Sequence, residues 1–365
     1  AIGIAFASNL FTMFIFYEAL TIVTYPLVSH HEDKEGLEGG RQYIVYLLGT
    51  AKIFLLAAIV LTYILTGTLD SRKSGIFSSE IVQNNKLLLQ IMLVLYLYGF
   101  NKSAIMPLHS WLPAAMVAPT PVSALLHAVA VVKAGVFTVS RVLLYVYGAN
   151  TVKAIEMQDL IFFLTSFTII IGSLIALTRD DFKARLAFST VANLSYIIIG
   201  VAMFSPLGIL GGLIHISMHA FSKITMFFVA GSVYVSTHVK KISELDGVGK
   251  VMPITMFSFF LATLSMIGIP IFAGFITKFN LAMGALEIGR PELVGVFIVS
   301  SFLNAAYFLP IVYRSFFRKP ENPLRWHGVQ ENYFCAIPLL ITALFTVVWG
   351  LYPDFLMNIL RTVIR

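Results

Sequence analysis

Cysteine is nearly absent from this 365-residue chain, with Cys335 its only example. A disulfide within the chain, a cysteine-ligated metal and an iron–sulfur centre are therefore excluded. The thiol sits in an apolar run and reads as a small core residue. Charge is also scarce, at 12% of residues. There is no Gly-rich phosphate loop between a strand and a helix, and no catalytic triad, haem pair or quinone-specific constellation. Nothing in the pattern asks for a cofactor or a resident metal, and no catalytic centre can be read. The chain opens on Ala1-Ile-Gly, without Met and without the basic n-region of a signal peptide, so it reads as the interior of a longer protein.

What is abundant is apolar surface, at 58% of residues. A soluble fold could not cover that much, and the composition implies a polytopic membrane protein in contact with the lipid bilayer. The apolar stretches are continuous rather than alternating, which favours helices over a barrel. About ten spans lie near or above the ~20 residues that a crossing helix needs. They run over 4–28, 42–66, 86–106, 110–146, 158–178, 185–204, 207–236, 253–285, 293–316 and 332–351. The tail 353–365 places Leu356, Ile359, Leu360 and Val363 on one side and ends in arginine, as a surface amphipathic helix would.

The pI near 9.3 is not a nucleic-acid signal, because the basic residues gather in short loops. One set of loops carries Lys34, Arg41, Arg179, Lys183, Arg185, Lys240, Lys241, Lys250, Arg314, Arg318, Lys319 and Arg325. The other carries Arg72, Lys73, Lys86, Lys153, Arg290, Arg361 and Arg365. The richer set, including the loop 29–41, is placed in the cytoplasm by the positive-inside rule. The cluster Arg179–Arg185 reads as a solvated loop.

Two spans look broken. The first break surrounds Pro107 and the second Pro270, and each has a lysine nearby. Proline removes a backbone donor and clashes with the preceding turn, so the helix should kink or open. Paired broken helices are the pattern of an inverted repeat with a site near the midplane.

Ionisable side chains inside the apolar runs carry the functional reading. Lys52, Lys102, Lys133, Lys223 and Lys278 fall within or against such runs, and Glu18, His127, His215 and His219 join them. A charge at bilayer depth costs at least ~2.5 kcal/mol, so a series of them points to a path for ions or protons. His215, His219 and Lys223 stand at i, i+4 and i+8, within ~80° of one another on a helix and ~6 Å apart in rise. Histidine titrates near neutral pH, so the stripe can pass protons. Glu18 needs a partner in its span, and Lys102 is the candidate. Moving the carboxylate would switch the lysine between holding and releasing a proton. His127 and Lys133 are six residues apart, so they should face different directions on one helix while extending the path from Lys102. Lys52 reads equally as a member of the path and as a lysine that snorkels or pairs structurally, and His109 as a group that satisfies opened backbone. These two are accessory candidates.

Four segments carry a resemblance. They are Lys102-Ser-Ala-Ile-Met-Pro-Leu-His-Ser-Trp-Leu-Pro113 running on to Pro119-Thr-Pro-Val-Ser-Ala-Leu-Leu-His127, then Phe16-Tyr-Glu18, His215-Ile-Ser-Met-His219-Ala-Phe-Ser-Lys223, and Gly268-Ile-Pro-Ile-Phe-Ala-Gly274-Phe-Ile-Thr-Lys278. With these segments in matching chain order, over roughly Asn9 to Tyr313, the chain resembles the proton-translocating antiporter-like subunits of respiratory complex I, of Mrp-type Na⁺/H⁺ antiporters and of membrane-bound hydrogenases. The resemblance implies an all-α polytopic membrane bundle of about fourteen helices with inverted five-helix repeats and two broken helices. The first span would be the family's fifth helix, with about four more preceding it. Residues 1–148 would be a first repeat lacking its N-terminal helices, 149–317 a second, inverted repeat, and 318–365 a C-terminal helix and amphipathic tail. The family's glutamate falls on Glu18, its broken-helix lysines on Lys102 and Lys278, and its central relay on His127, Lys133, His215, His219 and Lys223. Together these imply a horizontal hydrated chain with half-channels to either side.

Within the superfamily the His127 segment looks like the largest complex I and Mrp subunits, although no long lateral helix follows Arg314. Lys133 in Val-Lys-Ala-Gly is like the Mrp and hydrogenase relatives. Ser29-His-His-Glu-Asp-Lys and the Arg179–Arg185 segment look most like D-type Mrp subunits. The expectation is therefore a subunit of an Mrp-type antiporter in the plasma membrane, moving protons and Na⁺ with other membrane subunits as partners. The alternative is a proton-pumping subunit of a redox-driven translocase, of the complex I or hydrogenase kind.

Overall fold

The computed structural model of the chain describes residues 1–320, 322 and 325–364, with the side chains of Val363 and Ile364, like Arg365, outside the described residues. No β-strand occurs among the described residues. After a short helix, Ile2–Phe6, the chain crosses as α1 (Leu10–Val28) and α2 (Lys34–Thr66). Next come α3 (Lys86–Gly99) and α4 (Trp111–Ala114), separated by an open segment. The remaining crossings are α5 (Thr120–Ala154), α6 (Gln158–Thr178), α7 (Phe182–Ala202), α8 (Pro206–Thr237), α9 (Pro253–Ile267) with α10 (Ala273–Glu287), α11 (Pro291–Phe317) and α12 (Tyr333–Leu351). A last helix, α13 (Asp354–Ile364), lies against α8. Eight of these helices are long and apolar enough to cross alone. The pairs α3/α4 and α9/α10 supply two more crossings, each in two pieces. The molecule is an all-α, multi-span membrane bundle.

Local chemistry explains where the helices start. The side chain of Asn9 accepts from the Thr12 amide at 2.8 Å, Asp33 from Gly36 at 2.7 Å, Asp181 from Ala184 at 2.7 Å and Ser205 from Gly208 at 3.0 Å. Each satisfies an amide that the first helical turn leaves free. Pro206, Pro253 and Pro291 stand at the first helical position, where a missing N–H costs nothing. Three π turns interrupt long helices, at Ala51–Leu55 in α2 and at Leu125–Val129 and Val142–Tyr147 in α5.

The structure corrects several expectations. The stretch 110–146 is not one span. α4 and the turn Ala115–Val117 complete the broken crossing begun by α3, and a new helix starts at Thr120. Apolar residues continue across Ala118 and Pro119, which hid the turn from hydropathy. Cys335 is exposed rather than core. Arg185 is only 9% exposed, so the 179–185 cluster is not simply a solvated loop. In α13, Leu356 and Leu360 are half-buried but Ile359 is 51% exposed, so the three do not share one inward face.

The loops sort to two ends. On one end the Asp180 carbonyl accepts from the Ile242 amide at 2.8 Å, and Arg314 pairs with Asp246 at 3.1 Å and Arg325 with Glu244 at 3.4 Å. On the other, Lys86 pairs with Glu156 at 2.9 Å and Arg290 with Asp159 at 2.5 Å. These are the richer and poorer sets of basic loops. Two apolar clusters fill the bundle, and α7 stands at its centre with every side chain from Arg185 to Ala202 buried.

Candidate functional site

Both helix breaks hold a buried lysine. At the first, α3 tightens into the turn Asn101–Ser103, and Lys102 within it is fully buried. Its ammonium donates to the Tyr17 carbonyl of α1 at 2.8 Å and lies 3.2 Å from the Tyr17 ring centroid, a cation–π contact. Its backbone amide donates to the Tyr17 hydroxyl at 3.0 Å. Trp111 Nε1 donates to the Asn101 carbonyl at 3.1 Å across the opening. The α5 backbone reaches this turn because residue 135 is glycine. A Cβ there would fall 2.2 Å from the Lys102 carbonyl carbon.

At the second break, Lys278 of α10 donates to the Met266 and Ile267 carbonyls at 3.0 and 2.9 Å and to Ser301 Oγ at 2.9 Å. The lysine thus caps carbonyls left free where α9 ends. Gly268 makes room for it, with φ +90° and a Cβ position only 2.9 Å from Lys278 Cδ. Pro107, preceded by a cis peptide bond, and Pro270 both lie in the open segments, where sequence placed the breaks.

Between the lysines, the stripe on α8 meets three different helices. His219 Nδ1 is 2.7 Å from Lys133 Nζ of α5, and His215 Nδ1 is 3.2 Å from Thr277 Oγ1 of α10. Lys223 donates to the Leu186 carbonyl at 3.1 Å and to Ser189 Oγ, both on α7. The rings of His215 and His219 stand 5.9 Å apart. His127 lies against Phe227 of α8, with ring centroids 4.9 Å apart. Contrary to the six-residue spacing, His127 and Lys133 thus both face α8. The π turn is the reason: the Ala130 amide bonds to the Leu125 carbonyl at 3.0 Å, five residues back, which widens the turn and realigns the face.

Glu18 differs from expectation. It is half-buried and beside Lys102, yet no ion pair joins them among the described residues, and its Oε1 is buried without a protein partner. Lys102 and Lys52 are the cations that act on it. Lys52 itself is exposed, in the π turn of α2. His109 Nδ1 sits 3.2 Å from the Pro107 carbonyl, serving the opened backbone as read from sequence.

Sequence reasoning missed a second set of groups. Ser189, Asn193 and Tyr196 on α7 and Ser300, Asn304 and Tyr307 on α11 are all fully buried, with Tyr196 beside Ser300 and Asn193 beside Tyr307. Asn193 Nδ2 donates to the Ser189 carbonyl at 2.7 Å, and Tyr307 donates to Asn304 Oδ1. Asn193 Oδ1, Asn304 Nδ2 and the Tyr196 and Ser300 hydroxyls have no protein partner, as is true of both nitrogens of His127 and Nε2 of His215 and His219. Buried polar atoms of this kind are satisfied by water. The signal was available in the sequence: both triplets repeat at i, i+4, i+7, one helical face, but each residue alone reads as neutral core.

The chain is similar to NADH-quinone oxidoreductase subunit N of Desulforudis audaxviator, at 31% identity over 97% of this chain and 72% of that one. It is 30% identical to one of the Na⁺/H⁺ antiporter subunits of Alkalihalophilus pseudofirmus, over 97% of this chain but 46% of that one, so it spans less than half of that relative. The structure of an Mrp complex from a Dietzia species superposes on 99% of the chain and 74% of its counterpart there, with a TM-score of 0.87 and 23% identity, a likeness of fold. With the family described as NADH:quinone oxidoreductase/Mrp antiporter, TM, matching residues 7–304, the chain belongs to that membrane family.

Proposed function

We propose that the chain is a proton-translocating membrane subunit of a multisubunit Mrp-type monovalent cation/proton antiporter, and that Na⁺ is exchanged for protons by the whole complex. The observation that carries the proton reading is the buried Lys133–His219 contact at 2.7 Å, which links α5 to the histidine stripe between the two broken-helix lysines. A proton passes from Glu18 and Lys102 by way of His127 and Lys133 to His219, and from His215 through Thr277 to Lys278. Water at the unpartnered histidine nitrogens carries it across the gaps. The antiporter name of a relative at 30% identity supports cation exchange. The two halves, 1–148 and 149–317, act as inverted repeats, a reading supported by one broken helix with one lysine in each. The complex resides in the plasma membrane with the loop 29–41 in the cytoplasm, and other membrane subunits complete it.

A second reading, a proton-pumping subunit of a redox-driven translocase, is favoured by the 31% identity to an NADH-quinone oxidoreductase subunit. One experiment separates the two: purification of the tagged full-length protein in mild detergent, with mass spectrometry of what accompanies it. Small hydrophobic subunits without cofactor proteins are expected. Iron–sulfur or nickel–iron subunits would overturn the antiporter assignment in favour of the redox-driven one.

A further inference from the structure

The polar groups between α7 and α11 form a file that reaches from the ion path toward one membrane face. Four α7 residues, Arg185, Ser189, Asn193 and Tyr196, share one helical side at i, i+4, i+8 and i+11. The file touches both lysines of the second half, one of them a single turn from Arg185 and the other at the file's far end. Ser189 accepts from Lys223, and Tyr196 lies under Lys278 at 5.5 Å from its ring centroid. Next come Ser300, Asn304 and Tyr307 of the antiparallel α11. The Tyr196 and Ser300 hydroxyls lie near each other without a bond of normal geometry, and the Tyr307 hydroxyl faces Asn193 and Ser173.

At the other end stands Arg185. Its Nη1 donates to the Tyr307 carbonyl at 2.9 Å, its Nε to the Arg179 carbonyl at 2.8 Å and its Nη2 reaches the Leu177 carbonyl at 3.5 Å. It is 9% exposed. No ion pair reaches it among the described residues. The nearby Asp180 carboxylate acts on Arg185 through its charge but makes no direct pair with it, its oxygens accepting from the Ser243 amide at 2.9 Å and hydroxyl at 2.7 Å. The other neighbouring charge, Arg314, is also positive. The guanidinium keeps its charge at any physiological pH. A file of hydroxyls and amides with water conducts protons unless something interrupts it. A fixed positive charge at the mouth of such a pore repels them.

We infer that Arg185 is an electrostatic plug, closing the α7–α11 polar file to protons at the face that carries the Arg179–Arg185 loop. The file then serves as an inner hydrated link between Lys223 and Lys278, beside the histidine route and sealed from that face. The inference rests on the proton-carrying reading above, yet its test is separate, because it reads leakage instead of exchange.

The test uses the whole complex in proteoliposomes with pyranine inside and an imposed pH jump, without a cation gradient. Arg185→Gln is expected to raise passive proton entry on the order of tenfold, as loss of a unit charge several ångströms from the path would. Arg185→Met, which keeps the apolar stem, is the second neutral variant should the glutamine variant fail to assemble. Arg185→Lys should remain tight. Asn304→Leu added to the neutral variant should return entry to the wild-type level by interrupting the file. An assembled neutral variant as tight as wild type overturns the plug, and a leaking lysine variant overturns the charge argument. A leak that persists with Asn304→Leu runs elsewhere and overturns the route. If instead the wild-type complex moves no protons under a cation gradient, the proposed function fails and not this inference alone.

Discussion

Lys102 shows how the fold holds a cation inside an apolar span. Its ammonium is held by a carbonyl and an aromatic face, not by a carboxylate, so it is positioned whether or not Glu18 is charged. Lys102→Ala should therefore leave the complex assembled while transport falls at least ~100-fold, the low end for loss of a proton-transfer group. Wild-type-like flux in an assembled variant would remove Lys102 from the path. Glu18→Gln removes a nearby negative charge without breaking a direct pair, so assembly should again survive. Transport should drop steeply with an altered pH profile, and an unchanged profile would make Glu18 merely structural. Sequence showed these ionisable residues clearly, because charge stands out in an apolar run. It did not show that Glu18 and Lys102 lack a direct bond, since two spans carry no information on their mutual rotation. Nor did it show Arg185, whose charge was masked by the ionisable neighbours Arg179, Asp180, Asp181 and Lys183.

Helices in this bundle owe their placement to where backbones can touch. Gly135 lets α5 lie directly on the first break, and a methyl group there has only backbone to displace. Gly135→Ala should lower the stability of the detergent-solubilised protein by ~1–3 kcal/mol, as strain at a constrained site does. By contrast, a Cβ at Gly295, inside α11, meets nothing within 4 Å. Gly295→Ala should be neutral or stabilise by up to ~1 kcal/mol through helix propensity and the entropy of the unfolded chain. Thermal unfolding of both variants checks the pair, and equal effects would refute the contact argument. Helix existence was legible from hydropathy and from the proline-bearing breaks. The π turn of α5 was not, because no residue type marks a widened turn, and so the shared face of His127 and Lys133 was hidden.

At the scale of the molecule, the ion pairs at the ends join loops but stabilise little. Arg290 bonds Asp159 and Glu292 at 2.5 and 3.4 Å, and this raises its pKa above the ordinary arginine value. All three side chains are exposed, and exposed pairs contribute under ~1 kcal/mol. Arg290→Ala should therefore leave transport and thermal stability nearly unchanged, unlike loss of the buried Arg185. The sorting of loops to two ends was readable from alternating spans. The single α7 at the centre was not, because its apolar content resembles that of its lipid-facing neighbours, and only packing distinguishes them.

Cys335, displaced from the core by the structure, has a practical consequence. It lies on a cavity of about 1050 Å³ whose walls include His31 and Asp33 from the loop 29–41, Asp181 and Lys240. As the only thiol among these 365 residues, and an exposed one, it is a ready-made chemical address for one end of the bundle. A membrane-impermeant maleimide, followed by mass spectrometry of the peptide that carries Cys335, should leave it untouched in intact cells and label it in inverted vesicles. Labelling in intact cells would turn the whole bundle over in the membrane.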